Sequence, residues 1–208
     1  MIRIVFGGDI CPTGRIQNAF AAGYADEIFH DLLEDITYAD LSVVNLECPL
    51  VSRETPINKG GGGPVLGASS RCIRGFAAAN WSVLNLANNH SFDHGACGLR
   101  ETIDTIRGAG LGVVGAGLNI SEAQMPFVTI VNGQRIVIYA MAEREYSVAD
   151  SKTPGANPVD IINFVNAIRQ HKQDDILIVI IHVGSEYYTY PSPEMRRKCR
   201  FMVDIGAD

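Results

Sequence analysis

Four short apolar runs, each cut off by a side chain carrying a donor oxygen or nitrogen, most restrict what this chain can fold into. Ile2 to Phe6 leads to Asp9, and Leu41 to Val44 leads to Asn45 and Glu47. Val83 to Ala87 stops in Asn88, Asn89, His90, Asp93 and His94, and Ile176 to Ile181 stops at His182. Short apolar runs of this kind read as buried strands, and Ile176 to Ile181, apolar throughout, reads as one buried on both faces. Open α/β sheets place their ligands at the carboxyl ends of such strands. A parallel sheet would therefore gather two carboxylates, an amide and two imidazoles in one place.

The segments between these runs carry helical spacing, which gives the strand–helix alternation of an α/β fold. Helices are expected over Asp26–Glu34, Ile73–Ala79 (capped by Ser69 or Ser70), Ala96–Arg107, Val159–His171 and Pro193–Ile205. A short strand is expected at Val113–Val114. Phe127–Val131 and Arg135–Ala140 flank Asn132-Gly133, a strong two-residue hairpin turn. Two loops stand out: Val51 to Gly67, with Gly60 to Gly63 in a row, and Tyr146 to Pro158, with two prolines. Both read as surface connections in preference to lids. No repeat or linker divides the chain, so residues 1–208 are expected to form one domain.

Composition narrows the function classes. A hydrophobic share of 47% against 19% charged suits a globular domain and neither a disordered nor a membrane chain. A net charge of −6 without any basic stripe argues against a nucleic-acid partner. An acidic protein can still handle an anionic substrate if bound cations supply the positive charge. The cysteines number five, and no two show C-x-x-C spacing, which disfavours a disulfide framework or a structural zinc cluster. No run approaches the length of a membrane span, and no basic-then-apolar leader opens the chain. A soluble, cytoplasmic chain is expected, although a removed export signal would leave no trace.

Several motifs fail on context. Gly110-Leu-Gly112-Val-Val-Gly115 matches a dinucleotide fingerprint, but a helix precedes it and a strand follows, the reverse of what that motif needs. Lys59 precedes its glycines, whereas a phosphate loop places the lysine after them. No G-x-S-x-G elbow is present, so a serine hydrolase has no starting residue. Taken singly, Asp9 and Asn89 read as turn residues, Glu47 as a surface carboxylate and His182 as a strand-end histidine. Their shared position after apolar runs favours a metal site, and oxygen plus imidazole donors suit Mn²⁺, Fe or Zn²⁺.

Gly8-Asp9, Asn45-Leu46-Glu47-Cys48-Pro49-Leu50, Leu86-Ala87-Asn88-Asn89-His90-Ser-Phe-Asp93-His94-Gly95, Gly115-Ala116-Gly117 and His182-Val-Gly184-Ser-Glu186-Tyr187 together resemble the CapA family. These are poly-γ-glutamate capsule synthesis proteins of the calcineurin-like metallophosphatase superfamily. The resemblance runs in order from Ile2 to Asp208, and the Ala-Asn-Asn-His block is its most specific part. It implies a metallophosphatase-like layered sandwich of mixed β-sheets flanked by helices, holding one or two divalent metals. Asp9 would ligate the first metal, Glu47 would stand at the bridging carboxylate, Asn89 would ligate the second metal through its amide oxygen, and His182 would add an imidazole. His90 matches the outer histidine that donates to the scissile group, and Asp93 would orient it. Glu186 is a weaker candidate for the rim.

Two departures follow. The superfamily's Asp-x-His start reads Asp9-Ile10-Cys11 here, where Cys11 either replaces the imidazole or, preferably, is a small buried thiol. Family members also continue past a Gly-Ala-Asp like Gly206-Ala207-Asp208 into a further strand and histidine motif. The chain is thus expected to be truncated at its C-terminal end, with an open sheet edge.

The resemblance implies a metal-dependent hydrolase acting on a phosphoester or a glutamyl amide, with His90 as general acid. A second reading is a non-catalytic capsule-assembly component that binds an anionic polymer and a membrane synthase. A third is an α/β domain whose polar strand ends are only caps.

Overall fold

The computed structural model describes residues 1–59, 63–145, 147–169, 174–185 and 187–208. The first half of the chain runs β1 (Ile4–Ile10), α1 (Gln17–Ala22), α2 (Ala25–Phe29), α3 (Leu32–Thr37), β2 (Leu41–Leu46), β3 (Leu50–Val51), β4 (Ala68–Ser69), α4 (Ile73–Ala78) and β5 (Val83–Asn85). The second half runs α5 (Gly95–Gly108), β6 (Gly112–Val114), β7 (Ala116–Gly117), α6 (Ile120–Ala123), β8 (Phe127–Val131), β9 (Gln134–Ala142), β10 (Gly155–Ala156), α7 (Ile161–Ile168), β11 (Ile176–His182) and α8 (Pro193–Asp204).

Strand alternation sorts these elements into layers. One sheet is all parallel, in the order β1-β2-β5-β6; the other is mixed, in the order β11-β9-β8. On β9, Ile136, Ile138, Ala140 and Ala142 face inward, where they meet Leu41, Val43, Val83 and Val114 of the first sheet. The alternate residues Val137, Tyr139 and Met141 pack with Phe164 of α7 and Met202 of α8. Across the first sheet, Val44, Leu46 and Leu84 pack under α1 to α5 through Phe20, Phe29, Phe76, Leu99 and Ile106. Phe20 anchors that layer, its ring 5.0 Å from Phe76 and 5.9 Å from Phe29. Burying a side chain of this size contributes about 1.5–3 kcal/mol. The result is helix, sheet, sheet, helix, with the two sheets face to face.

The structure alters several expectations. The helix expected over Asp26–Glu34 is split into α2 and α3, because His30 adopts φ 48° and ends the first of them. β1 continues through Gly7, Gly8 and Asp9, so Asp9 lies within the strand. Ser69 caps the turn into α4 by accepting from Arg71 N, at 3.3 Å. The helix expected to reach His171 is ordered as α7 to Ile168, and residues 170–173 lie outside the described residues.

β11 is not buried on both faces. It stands at the edge of its sheet, paired among the described residues only with β9, and only Leu177 is fully buried. The loop from Tyr146 to Pro158 is not a simple surface connection either. It contains β10, which pairs antiparallel with β7, and a buried Asn157 that donates to Ala140 O at 2.8 Å. Among the described residues no helix is long and apolar enough to cross a membrane.

Candidate metal centre

Parallel pairing aligns the donors. Asp9 is the backbone partner of Asn45 across β1–β2, and Asn45 is that of Asn85 across β2–β5. Three polar residues thus lie in one row where apolar strands end. The Asn45 amide donates to Asp9 Oδ1 at 2.7 Å, and its oxygen accepts from Asn85 Nδ2 at 2.8 Å and Asn88 Nδ2 at 3.0 Å. These amides are buried, and Asn85 and Asn88 hold the Asn45 oxygen, so the Asn45 amide is fixed where it orients the more exposed Asp9 carboxylate.

The four expected ligands come together, but from two sheets and not from one. Asp9 lies in β1 and Glu47 and Asn89 follow other strands of the parallel sheet, whereas His182 ends β11 of the mixed sheet. Donor atoms of Asp9, Glu47 and His182 lie within 4.8 Å of one another. His182 Nδ1 is 3.8 Å from Asp9 Oδ1, and its Nε2 is 3.7 Å from Glu47 Oε1 and 3.1 Å from Asn89 Oδ1. Two carboxylates so placed repel one another. Burial pushes the Glu47 carboxyl above its ordinary range, and Asp9 pushes it further, more than His182 and His90 draw it back.

His90 sits beside this group with its Nδ1 turned away. Nδ1 lies 2.7 Å from Asp93 Oδ2, which also accepts from Leu66 N at 2.7 Å. Burial favours the neutral Asp93 carboxyl, but His90, the Leu66 N–H and Lys59 outweigh it and hold Asp93 below its ordinary range. The ring nitrogen left to His90 is Nε2, and His90 lines a cleft of about 350 Å³ with Asp9, Glu47, Asn89 and His182.

Cys11 does not join the clustered donors. It is half-buried and takes a hydrogen bond from Cys48, which lowers its pKa to about 7 against the opposing effect of burial. Glu186, expected at the rim, lies outside the described residues. Two rim carboxylates stand outside the sequence expectation: Glu143 and Glu145 line the same cleft, and Glu143 Oε1 accepts from Gly184 N at 3.1 Å. The signal was available, since the apolar stretch Ile136–Ala142 stops at Glu143 just as the other strands stop at their polar ends.

The loop from Val51 to Gly67 is more than a surface connection. Thr55 N donates to His94 Nδ1 at 2.8 Å, and Ile57 N donates to Asp93 O at 2.9 Å. A Cβ at Gly67 would come within 2.3 Å of His94 Nε2, so only glycine lets the loop lie this close.

Comparison with known proteins identifies the family and the fold. The family model described as bacterial capsule synthesis protein PGA_cap matches residues 3–208. The capsule biosynthesis protein CapA of Bacillus anthracis is 29% identical over 209 residues, taking in 97% of this chain and 51% of that protein. The PGA biosynthesis protein CapA of Bacillus subtilis (strain 168) is 30% identical over 207 residues, 98% of this chain and 54% of that one. The chain therefore spans about half the length of these curated relatives. A solved structure of a putative 5'-nucleotidase from Staphylococcus aureus superposes with a TM-score of 0.54 at 15% identity, over 97% of this chain and 43% of that one. That likeness identifies the fold as metallophosphatase-like. With the family model spanning nearly every residue and the Asn89–His90 block standing where the sheets meet, the chain belongs to the bacterial capsule synthesis PGA_cap family.

Proposed function

We propose that this chain is a divalent-metal-dependent hydrolase of capsule biosynthesis, cleaving a phosphoester or a glutamyl amide bond. One observation carries the reading: Asp9, Glu47, Asn89 and His182 converge from two sheets beside a histidine whose Nδ1 is already held by a carboxylate.

The donor set fits a divalent cation. Burial and, next, the neighbouring Asp9 carboxylate raise the Glu47 pKa, a charge conflict that a shared cation would relieve, and an amide oxygen and an imidazole complete the set. Oxygen and nitrogen donors of this kind suit Mn²⁺, Fe or Zn²⁺. Such a cation would supply Lewis acidity and a lowered pKa for water. It would also offset the cleft's charge, since Asp9, Glu47, Glu143 and Glu145 would otherwise repel an anionic substrate.

The chain's own residues do the rest. Asp93 accepts from His90 Nδ1–H and fixes the ring, so that the imidazolium form presents its Nε2–H, whose proton passes to the leaving oxygen or nitrogen. Asn45 keeps Asp9 aimed at the cleft, and its neutral amide adds no further charge there.

The test is product release from p-nitrophenyl phosphate and from a γ-glutamyl anilide, with and without Mn²⁺. Release that requires Mn²⁺ and vanishes in Asp9→Asn supports the proposal. Release insensitive to chelation contradicts it. Mn²⁺-dependent retention of poly-γ-glutamate without any product would instead favour a non-catalytic assembly component.

A further inference from the structure

One buried cation near the cleft has no part in the reaction outlined above. Lys59 belongs to the loop between β3 and β4, where a lysine would ordinarily extend into solvent. Its side chain is only 4% exposed. Nζ lies 2.5 Å from Asp93 Oδ1, 3.0 Å from Pro64 O and 3.3 Å from His90 Nδ1.

Burying such an ion pair is weak evidence for stability, because apolar side chains of similar volume often serve a fold as well or better. The pair's geometry points elsewhere. Asp93 offers both oxygens, Oδ1 to Lys59 and Oδ2 to His90 Nδ1 and Leu66 N. The carboxylate oxygen at 2.7 Å can only accept and so selects a protonated Nδ1; it outweighs the Lys59 ammonium, which could only donate but stands farther off at 3.3 Å. Rotation of Asp93 would break that bond, and Lys59 and Leu66 N grip the carboxylate from both sides. The loop that carries Lys59 is itself fixed to the 90–94 segment through Thr55–His94 and Ile57–Asp93.

We propose that Lys59 is a positioning residue of the hydrolytic site: its ammonium pins Asp93 so that Oδ2 holds the Nδ1–H tautomer of His90 and Nε2 is left to the cleft. This rests on the hydrolase reading, with Lys59 acting through Asp93 and His90 and touching no substrate. The part of the β3–β4 loop that carries Lys59 would thereby complete the site.

The test uses Lys59→Met, which keeps length and removes charge, with Lys59→Gln if the methionine variant does not fold. Turnover with saturating Mn²⁺ should fall about 10-fold, as for other groups that support a ligand or catalytic side chain, with KM and Mn²⁺ affinity unchanged. In ¹⁵N-histidine spectra the His90 Nδ1–H signal should give way to a tautomer mixture. Lys59→Ala should regain turnover with added ethylammonium and not with ethanol. Wild-type kcat in Lys59→Met, an unchanged His90 signal, or a loss that ethylammonium does not recover would each overturn the proposal. If the wild-type chain shows no turnover, the hydrolase reading fails by itself, and the tautomer measurement alone decides the role of Lys59.

Discussion

Asn45 donates its side-chain amide to Asp9 Oδ1 at 2.7 Å, and the same two residues are backbone partners in the parallel β1–β2 pairing. Strand register and side-chain chemistry thus fix the carboxylate together. Asn45→Ala removes the donor and leaves the Asn85 and Asn88 amides without their shared acceptor. Groups that orient a metal ligand typically contribute 10–100-fold to affinity. Mn²⁺ titration calorimetry on Asn45→Ala should therefore show a loss of about that size, whereas unchanged affinity would remove Asn45 from the site.

His90→Ala should separate binding from chemistry. Turnover should fall about 10²-fold, the usual weight of one acid–base group. Mn²⁺ affinity should stay near the wild-type value, because His90 faces Asp93 and Lys59 through Nδ1 and stands beside the clustered donors. Parallel kinetics and metal titration read both quantities, and wild-type turnover would take His90 out of the mechanism.

Glu47 links the site to pH. Its folded-state pKa is raised by burial and by Asp9, so its charged form costs the metal-free fold stability at neutral pH. That cost disappears as pH falls through the raised value, and none remains below the ordinary carboxylate range near pH 4. Asp93 runs the other way: its pKa is lowered, so its contribution is present at neutral pH and lost as pH falls through its folded value. Glu47→Gln should therefore raise the melting temperature of metal-free protein at neutral pH and leave it unchanged near pH 4. It should also abolish Mn²⁺ stabilisation, which for wild type at 100 times Kd is about 2.7 kcal/mol. Thermal melts with and without Mn²⁺ at both pH values check this.

Gly115 sits between the sheets with φ +84°, and a Cβ there would come within 2.6 Å of Ala87 Cβ and 2.9 Å of Ala140 Cβ. Left-handed backbone costs a non-glycine residue about 1–2 kcal/mol, and overpacking adds roughly 1–3 kcal/mol. Gly115→Ala should destabilise by about 3 kcal/mol, lowering the melting temperature by roughly 6–12 °C. A shift under a degree would mean the sheets separate more easily than their packing indicates.

The sequence made the strands and their polar ends legible because an apolar run that stops at a carboxylate or imidazole is a local pattern. Asp9, Glu47, Asn89 and His182 were visible for that reason. That they come from two sheets was not, since β9 and β11 form a sheet of their own only through long-range pairing. The edge position of β11 is hidden for the same cause: composition reports hydrophobicity, not neighbours. Asn45 ended a visible run, yet its role depends on a register no local pattern encodes. Lys59 precedes its glycines and fits no phosphate loop by sequence, and its burial against Asp93 follows from how the loop folds back on residues 90–94, which no local pattern encodes.

The most direct test of the central claim is anomalous X-ray diffraction from crystals of the protein soaked with Mn²⁺. The account predicts the strongest anomalous peak within coordinating distance of Asp9, Glu47, Asn89 and His182. Full Mn²⁺ loading with that position empty, and the ion bound elsewhere, would contradict it.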